Sequence, residues 1–152
     1  MSEPAVKQNS PAKSTRRRAR ELALQGVYQW RLTDGDKIQI EKHILEEKGK
    51  GRYDAEFFSK LLLGTLANHA ELEVSVTQHL DRTLNELSPI EFSVLMLGAY
   101  ELIHNPEIPY RVIINEAVEL AKTFGGTDGH KYVNGVLDKM AAQVRVAEVI
   151  TK

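Results

Sequence analysis

The segment STRRRARELALQGVYQW, residues Ser14–Trp30, joins a run of arginines to an apolar pattern with the period of an α-helix. At about 100° per residue, one face of that helix carries only apolar or small side chains. These are Ala19, Leu22, Ala23, Gly26, Val27 and Trp30. Ser14 or Thr15 is a suitable N-cap, and the pattern continues to about Leu32. The segment therefore predicts a long amphipathic helix with one face in a hydrophobic core.

A second face of the same helix lies about 150° from the core face and combines cations with an apolar and an aromatic residue. It carries Arg17, Arg20, Leu24 and Tyr28. Arginine makes bidentate contacts with phosphate, and tyrosine offers a ring on which an unpaired base can stack. Positive charge in the first turn opposes the helix dipole, which argues against a purely structural role for the arginines. The pattern is compatible with nucleic-acid contact and equally with a solvated face on which Glu21 pairs with Arg17 or Arg18.

The charge of the 152 residues is unevenly distributed along the chain. Residues 1–20 contain six basic residues and one acidic residue, so this end carries a net charge of +5 while the remainder carries −6. A basic end on an acidic body suggests a contact with a polyanion.

The absence of cysteine excludes a disulfide framework, a thiolate zinc site and a thiol nucleophile. The chain also has no apolar run long enough to span a bilayer, and its first residues lack the apolar region of a signal peptide. We therefore expect a cytoplasmic protein.

The rest of the chain has helical periodicity, and no segment alternates with period two for long enough to predict a strand. Helices are predicted for residues 37–48, after Ser88-Pro89, from Pro109 to Gly125-Gly126, and after Thr127 or Asp128. Residues 53–87 are predicted to form two successive helices or one bent helix. The fold class is all-α, with about seven helices. Three regions are predicted: a disordered basic leader at 1–13, a single all-helical domain at 14–146 and a flexible tail at 147–152. Gly125-Gly126 is predicted to end its helix in the left-handed conformation.

The last predicted helix carries a second candidate surface beside its core stripe. Asp128, Tyr132, Gly135 and Lys139 share that face, and Lys131 adds positive charge. Tyr132 is compatible with a boundary aromatic whose ring is half packed, and also with a stacking platform. If this helix lay beside the arginine helix, Tyr28, Tyr132 and Arg20 would form one basic and aromatic surface.

Motifs for catalysis or for a cofactor are absent from the sequence. No phosphate-binding glycine loop and no HExxH metal motif occurs, and the five histidines are scattered. Glu101 stands in a mostly apolar helix, where it is expected to be partly buried with a cationic or hydroxyl partner. We predict a protein that is not an enzyme and binds neither a cofactor nor a metal.

Three segments, taken together, resemble the NusB transcription antitermination factors. They are RRRARELALQGVYQW, PYRVIINEAVELAKTFGG and DGHKYVNGVLDK, and their order and spacing match over roughly Arg16 to Met140. The resemblance implies a fold of two small helical subdomains. It also implies binding of the boxA element of ribosomal RNA leaders together with NusE, a small-subunit ribosomal protein, and help in loading an antitermination complex on RNA polymerase.

The resemblance assigns roles to residues by position. The implied RNA-binding residues are Arg16, Arg17, Arg18, Arg20, Tyr28, Asp128, Lys131 and Tyr132. Leu24 and Glu91 are expected to contact the protein partner. The chain departs from the family at Met96, where arginine is frequent, and at Tyr132, where phenylalanine is frequent. Tyrosine keeps a ring for stacking.

Other functions and assemblies remain compatible with the sequence. A protein–protein adaptor without RNA contact is one, and a homodimer formed through an exposed apolar stripe is another. A NusB-like domain also precedes a class of ribosomal RNA methyltransferases, but no glycine-rich cofactor loop or catalytic cysteine follows here.

Overall fold

Eight α-helices make up most of residues 11–151, the part of the chain that the computed structural model describes, with side chains described from residue 15. They are α1 (Pro11–Thr33), α2 (Lys37–Lys48), α3 (Ala55–Ala67), α4 (His69–Thr77), α5 (Pro89–His104), α6 (Tyr110–Phe124), α7 (Gly129–Val144) and α8 (Val146–Ile150). A single 3-10 turn at Leu84–Glu86 precedes α5. No strand occurs in this part of the chain, so the predicted all-α class is confirmed.

Helices α1 and α5 lie at the centre of the fold. Helix α1 packs against α2, α3 and α5, while α5 packs against α1, α3, α4, α6 and α7. The two central helices are antiparallel, because Arg20 of α1 pairs with Glu101 near the end of α5 and Arg31 covers Phe92 near its start. Every long face of α5 is therefore covered by another helix.

The core face predicted for α1 is confirmed. Ala19, Leu22, Ala23 and Val27 are each fully buried. Gly26 lies in the same stripe, and a Cβ atom added there would stand 2.7 Å from Cδ1 of Leu62 in α3. A glycine at this position lets the two helices approach closely.

The start of α5 follows the sequence signal. Ser88 Oγ accepts a hydrogen bond from the Glu91 amide at 3.1 Å, and the Glu91 carboxylate accepts one from the Ser88 amide at 3.1 Å. Pro89 occupies the first helical position, where its missing N–H leaves no intrahelical bond unmade. Further along, Met96 is 1% exposed and packs in the interior.

The structure differs from three sequence predictions about chain ends and caps. Helix α1 already includes Pro11, so the predicted N-cap at Ser14 or Thr15 is wrong; the predicted leader falls mostly outside the described residues. Gly125 has an extended backbone with φ −102°, so α6 does not end in the left-handed conformation. The segment predicted as a flexible tail contains α8, whose Glu148 accepts a hydrogen bond from the Tyr110 amide at 2.8 Å.

Candidate nucleic-acid interface

Arg16 stands at the surface where α1 meets the start of α3. Its Nε lies 3.5 Å from Oδ2 of Asp54, and its guanidinium lies 4.4 Å from the centre of the Phe57 ring. The side chain is 45% exposed. The cation is therefore held over a ring and a carboxylate while part of it faces solvent.

Arg17 forms a two-point ion pair with Glu116 of α6. Nε lies 3.1 Å from Oε1 and Nη2 lies 2.8 Å from Oε2. The hydrogen bonds that Arg17 donates to Glu116, and then the charge of Glu116, raise the pKa of Arg17. The side chain of Arg17 is 48% exposed and that of Glu116 only 11%. The pair therefore has its anion inside the fold and its cation at the surface.

Arg18 connects α1 to the end of α2. Nη1 donates to Glu21 at 3.1 Å, and Nη2 donates to the carbonyl of Lys48 at 2.9 Å. A cation at the C-terminal end of a helix is favoured by the helix dipole. Because α1 already includes Pro11, the arginines lie beyond the first turn, and the sequence argument from dipole repulsion does not apply to them.

Arg20 is not available to RNA. Nε and Nη2 donate to the two carboxylate oxygens of Glu101 at 2.9 and 2.8 Å, and the two side chains are 6% and 3% exposed. The guanidinium also lies 4.9 Å from the centre of the Phe57 ring. The structure thus places Arg20 in the interior, away from the surface at which the resemblance implied an RNA contact, and the expected cationic partner of Glu101 is confirmed.

Leu24 is also buried, with 1% of its surface exposed. Its helical face was predicted to be a surface stripe, but α2 and α5 cover it. The reason is that α1 packs on both sides, so its second apolar face belongs to the interior. Leu24 forms the floor of a groove, and any contact with a partner is made there.

Tyr28 is 37% exposed at the edge of that groove. The groove has a volume of about 500 Å³ and runs between the second half of α1, helix α2, the start of α5 and the end of α6. Its apolar lining is made by Leu24, Leu32, Ile44, Ile90 and Phe124. Tyr28 is thus placed next to an apolar surface rather than among the arginines.

Tyr132 of α7 is held by the loop that follows α4. Its hydroxyl donates to Asp81 Oδ1 at 3.0 Å, and the guanidinium of Arg82 lies 4.1 Å from the centre of its ring. The hydrogen bond from Arg82 lowers the pKa of Asp81, so the carboxylate stays charged near neutral pH. Partial burial raises the pKa of Tyr132, which keeps the hydroxyl protonated. The ring is half-buried and rigidly oriented.

Asp128, Lys131 and Glu91 lie at the same end of the molecule. Lys131 Nζ is 3.7 Å from Oδ1 of Asp128, and both side chains are exposed. Asp128 occupies the N-cap position of α7 without making a side-chain cap bond. Glu91 Oε2 lies 3.2 Å from where a Cβ atom of Gly129 would stand, which places it beside the start of α7.

The candidate residues form two groups at opposite ends of α1. Arg16 to Arg31 spans 15 residues, or about 22 Å at the rise of an α-helix. Arg31 contacts Asn85 in the loop that also supplies the partners of Tyr132. The single surface of Tyr28, Tyr132 and Arg20 considered from the sequence is therefore wrong. An arginine surface (Arg16, Arg17 and Arg18) and an aromatic surface (Tyr132, Arg82, Lys131 and Asp128) take its place.

Sequence reasoning missed Arg82 and Arg31. Arg31 lies 4.1 Å from the centre of the Phe92 ring, and its Nη2 donates to Asn85 at 3.1 Å. Both cations cover aromatic rings near the end of α1. No local pattern pairs Arg82 with a ring on another helix.

Comparison with known proteins identifies the family. The NusB family model matches residues 17–142. The chain belongs to the NusB family. Transcription antitermination protein NusB of Ralstonia nicotianae is 56% identical over 147 residues, which cover 97% of this chain and 95% of that protein.

Solved structures of the NusB family have the same fold. T. maritima NusB is 32% identical, with a TM-score of 0.74, over 84% of this chain and 90% of that one. The crystal structure of antitermination factors NusB and NusE in complex with dsRNA matches with 28% identity and a TM-score of 0.75, over 82% of this chain and 93% of that one.

The described residues contain no side-chain cluster that could hold a metal ion and no helix that could span a membrane. No group of three or more His, Asp or Glu side chains in this part of the chain is placed to hold a metal ion. None of the described helices is both long and apolar enough to cross a membrane.

Proposed function

We propose that the protein binds the boxA element of ribosomal RNA leader transcripts together with NusE and helps assemble the antitermination complex on RNA polymerase. The observation that carries this proposal is the close structural match to antitermination factors NusB and NusE in complex with dsRNA. The proposed role is non-catalytic, in keeping with relatives named as transcription antitermination proteins.

The RNA contact is proposed to use both the arginine and the aromatic surfaces. Arg16, Arg17 and Arg18 supply guanidinium donors for phosphate, and Tyr132 supplies a ring for an unpaired base. Lys131 and Asp128 stand beside that ring, where a cation meets phosphate and a carboxylate accepts from a base edge. A strand that contacts both surfaces follows the length of α1.

The NusE contact is proposed to use the groove beside Tyr28. Its lining is predominantly apolar, and Tyr28, Leu32 and Phe124 remain exposed there. Partly exposed apolar side chains around a groove are typical of a protein-binding site. Glu91 lies next to Ile90 of this groove and supplies a charge at its rim.

Titration of a labelled boxA RNA, followed by fluorescence anisotropy with and without NusE, tests the proposal. We expect boxA to bind more tightly than a scrambled RNA of the same length when NusE is present. Affinity should fall steeply with salt, because phosphate contacts release counterions. Equal affinity for boxA and the scrambled RNA in the presence of NusE would contradict the boxA assignment.

A matched pair of variants distinguishes the effect of these particular arginines on RNA binding from the effect of net charge. The variant Arg16→Gln/Arg18→Gln should weaken RNA binding and reduce its salt dependence. The control Lys37→Gln/Lys42→Gln removes the same two charges at exposed positions of α2 and should leave both nearly unchanged.

An adaptor that binds NusE without touching RNA is a second candidate. The observation that favours it is that Arg16, Arg17 and Arg18 are each paired with a carboxylate of the same chain. NusE capture by the wild-type protein, combined with RNA affinity that the arginine variant does not change, would establish this role instead. A second copy of the chain in the groove would be detected as a dimer by sedimentation.

A further inference from the structure

Glu116 is a buried acid whose partner is an exposed cation. The residue is 8% exposed, and Arg17 is its partner among the described residues. Three other acids near α1 differ from it: Glu101 is buried with a buried arginine, and Asp54 and Glu21 are more exposed. Of these pairs, Arg17–Glu116 is thus the one in which a buried acid binds a cation at the surface.

The pair controls which edge of Arg17 an incoming phosphate meets. The carboxylate occupies Nε and Nη2, and no described residue accepts a hydrogen bond from Nη1. A phosphate that displaced Glu116 would leave a carboxylate without a partner where water scarcely reaches, which is unfavourable. The favourable contact leaves the pair intact and approaches from the Nη1 side.

The surroundings of the pair give a phosphate room to approach. A surface depression of about 630 Å³ lies along α6 beside Arg17. Its other lining residues are Val112, Asn115, Val118, Glu119 and Lys122. Glu119 lies 3.7 Å from Lys122, and both of these side chains are about half exposed. The pair therefore stands at the edge of an open surface rather than in a closed pocket.

We propose that Glu116 is a specificity-determining residue that fixes Arg17 for one phosphate position and denies it to other RNA strands. This inference rests on the proposed function. When other contacts set the register of the RNA, a guanidinium that Glu116 already orients can bind its phosphate without a further loss of side-chain entropy. An RNA strand that binds in many registers gains less binding free energy from a cation that is neutralised and immobile. The difference in binding free energy between the two kinds of RNA is the specificity.

The variant Glu116→Gln tests the proposal because it keeps the shape of the side chain and removes its charge. Arg17 should then reach phosphates in many registers and act as one more counterion-releasing contact. For scrambled RNA, the slope of log affinity against log salt should steepen by about 0.7, the value for one phosphate contact on a single strand. Affinity for boxA with NusE should change less, so the ratio of boxA to scrambled affinity should fall.

Glu119→Gln is the matched control. It makes the same charge change one turn along α6 and leaves the Arg17–Glu116 pair in place. If the two variants change the ratio and the salt slope equally, the proposal is overturned, because a general field effect explains both. Thermal unfolding and circular dichroism of each variant report whether the fold is retained.

A double variant keeps the test independent of folding effects. Arg17→Gln/Glu116→Gln should have the salt slope and ratio of Arg17→Gln alone, because the effect of Glu116 passes through Arg17. A wild-type protein that discriminates boxA while Glu116→Gln behaves as Glu119→Gln contradicts this inference only. A wild-type protein that does not discriminate contradicts the proposed function as well.

Discussion

The ion pair of Arg20 and Glu101 joins the two central helices in the interior. Both side chains are nearly inaccessible to water, and their two hydrogen bonds are 2.9 and 2.8 Å long. Arg20→Met leaves a buried carboxylate without its partner, which costs about 3–5 kcal/mol. We expect a correspondingly lower urea midpoint in equilibrium unfolding.

Two controls distinguish this structural role from RNA contact. Arg18→Met removes a more exposed pair and should change stability by about 1 kcal/mol or less. The double variant Arg20→Met/Glu101→Leu replaces the pair with apolar groups, so it should regain most of the stability and bind boxA as the wild type does. A stable double variant with weakened RNA binding would return Arg20 to the RNA interface.

At the scale of elements, Arg145 and Glu148 fasten the C-terminal segment to the turn between α5 and α6. Arg145 donates to the carbonyls of Leu102, Asn105 and Ile108 at 2.8, 3.0 and 3.0 Å. The bond to Leu102 satisfies an acceptor in the last turn of α5 that the helix itself leaves free, and the bonds to Asn105 and Ile108 hold the turn that follows. The segment after α7 therefore acts as a cap for another helix.

Glu148 makes this cap dependent on pH. The hydrogen bond from the Tyr110 amide, and then Arg145, hold the pKa of Glu148 below its ordinary value of 4.5. A lowered pKa in the folded state means that the stabilisation is complete above pH 4.5 and is lost as the pH falls through the lower folded value. Glu148→Gln should reduce the melting temperature at pH 7 and have little effect once the wild-type carboxyl is protonated.

The control for this prediction is Glu46→Gln, which makes the same charge change at an exposed position of α2. Its effect on melting temperature should be small at pH 7 and also at the acidic pH at which the Glu148 carboxyl is protonated. An equal loss from both variants at pH 7 would indicate that net charge, rather than the cap, is responsible.

At the scale of the whole molecule, the two candidate RNA surfaces are separated by most of the length of α1. Arg18 lies near its start, whereas Tyr132 lies beside the loop that contacts its end. Tyr132→Ala should weaken boxA binding by about 1–3 kcal/mol if a base stacks there. Combined with Arg18→Gln, the losses should add within about 0.5 kcal/mol, as distant sites do.

Tyr132→Phe is the control for stacking, because it keeps the ring and removes only the hydroxyl, with the hydrogen bonds that it makes with the carboxylate and the amide of Asp81. Its binding should remain close to that of the wild type. Strong non-additivity of the Arg18 and Tyr132 variants would instead mean that the two surfaces act as one site.

Local features of the fold followed from local sequence. The buried stripe of α1 and the Ser88-Pro89 start of α5 agree with the structure, because helical periodicity and capping involve residues within one or two turns. The bounds of α2, residues 37–48, agree for the same reason. The family resemblance likewise depended on residue order alone.

The sequence by itself determined that the protein is helical, that one particular face of α1 enters the core and that one end is strongly basic. Only the tertiary structure decided which arginines face solvent. Arg17 and Arg20 share one helical face. Arg17 is nevertheless half-exposed in its pair with Glu116, whereas Arg20 is buried in its pair with Glu101. The acids belong to helices about eighty to a hundred residues further along the chain. Their placement depends on how α5 packs against α1 and how α6 packs against α5, which no periodicity within α1 encodes.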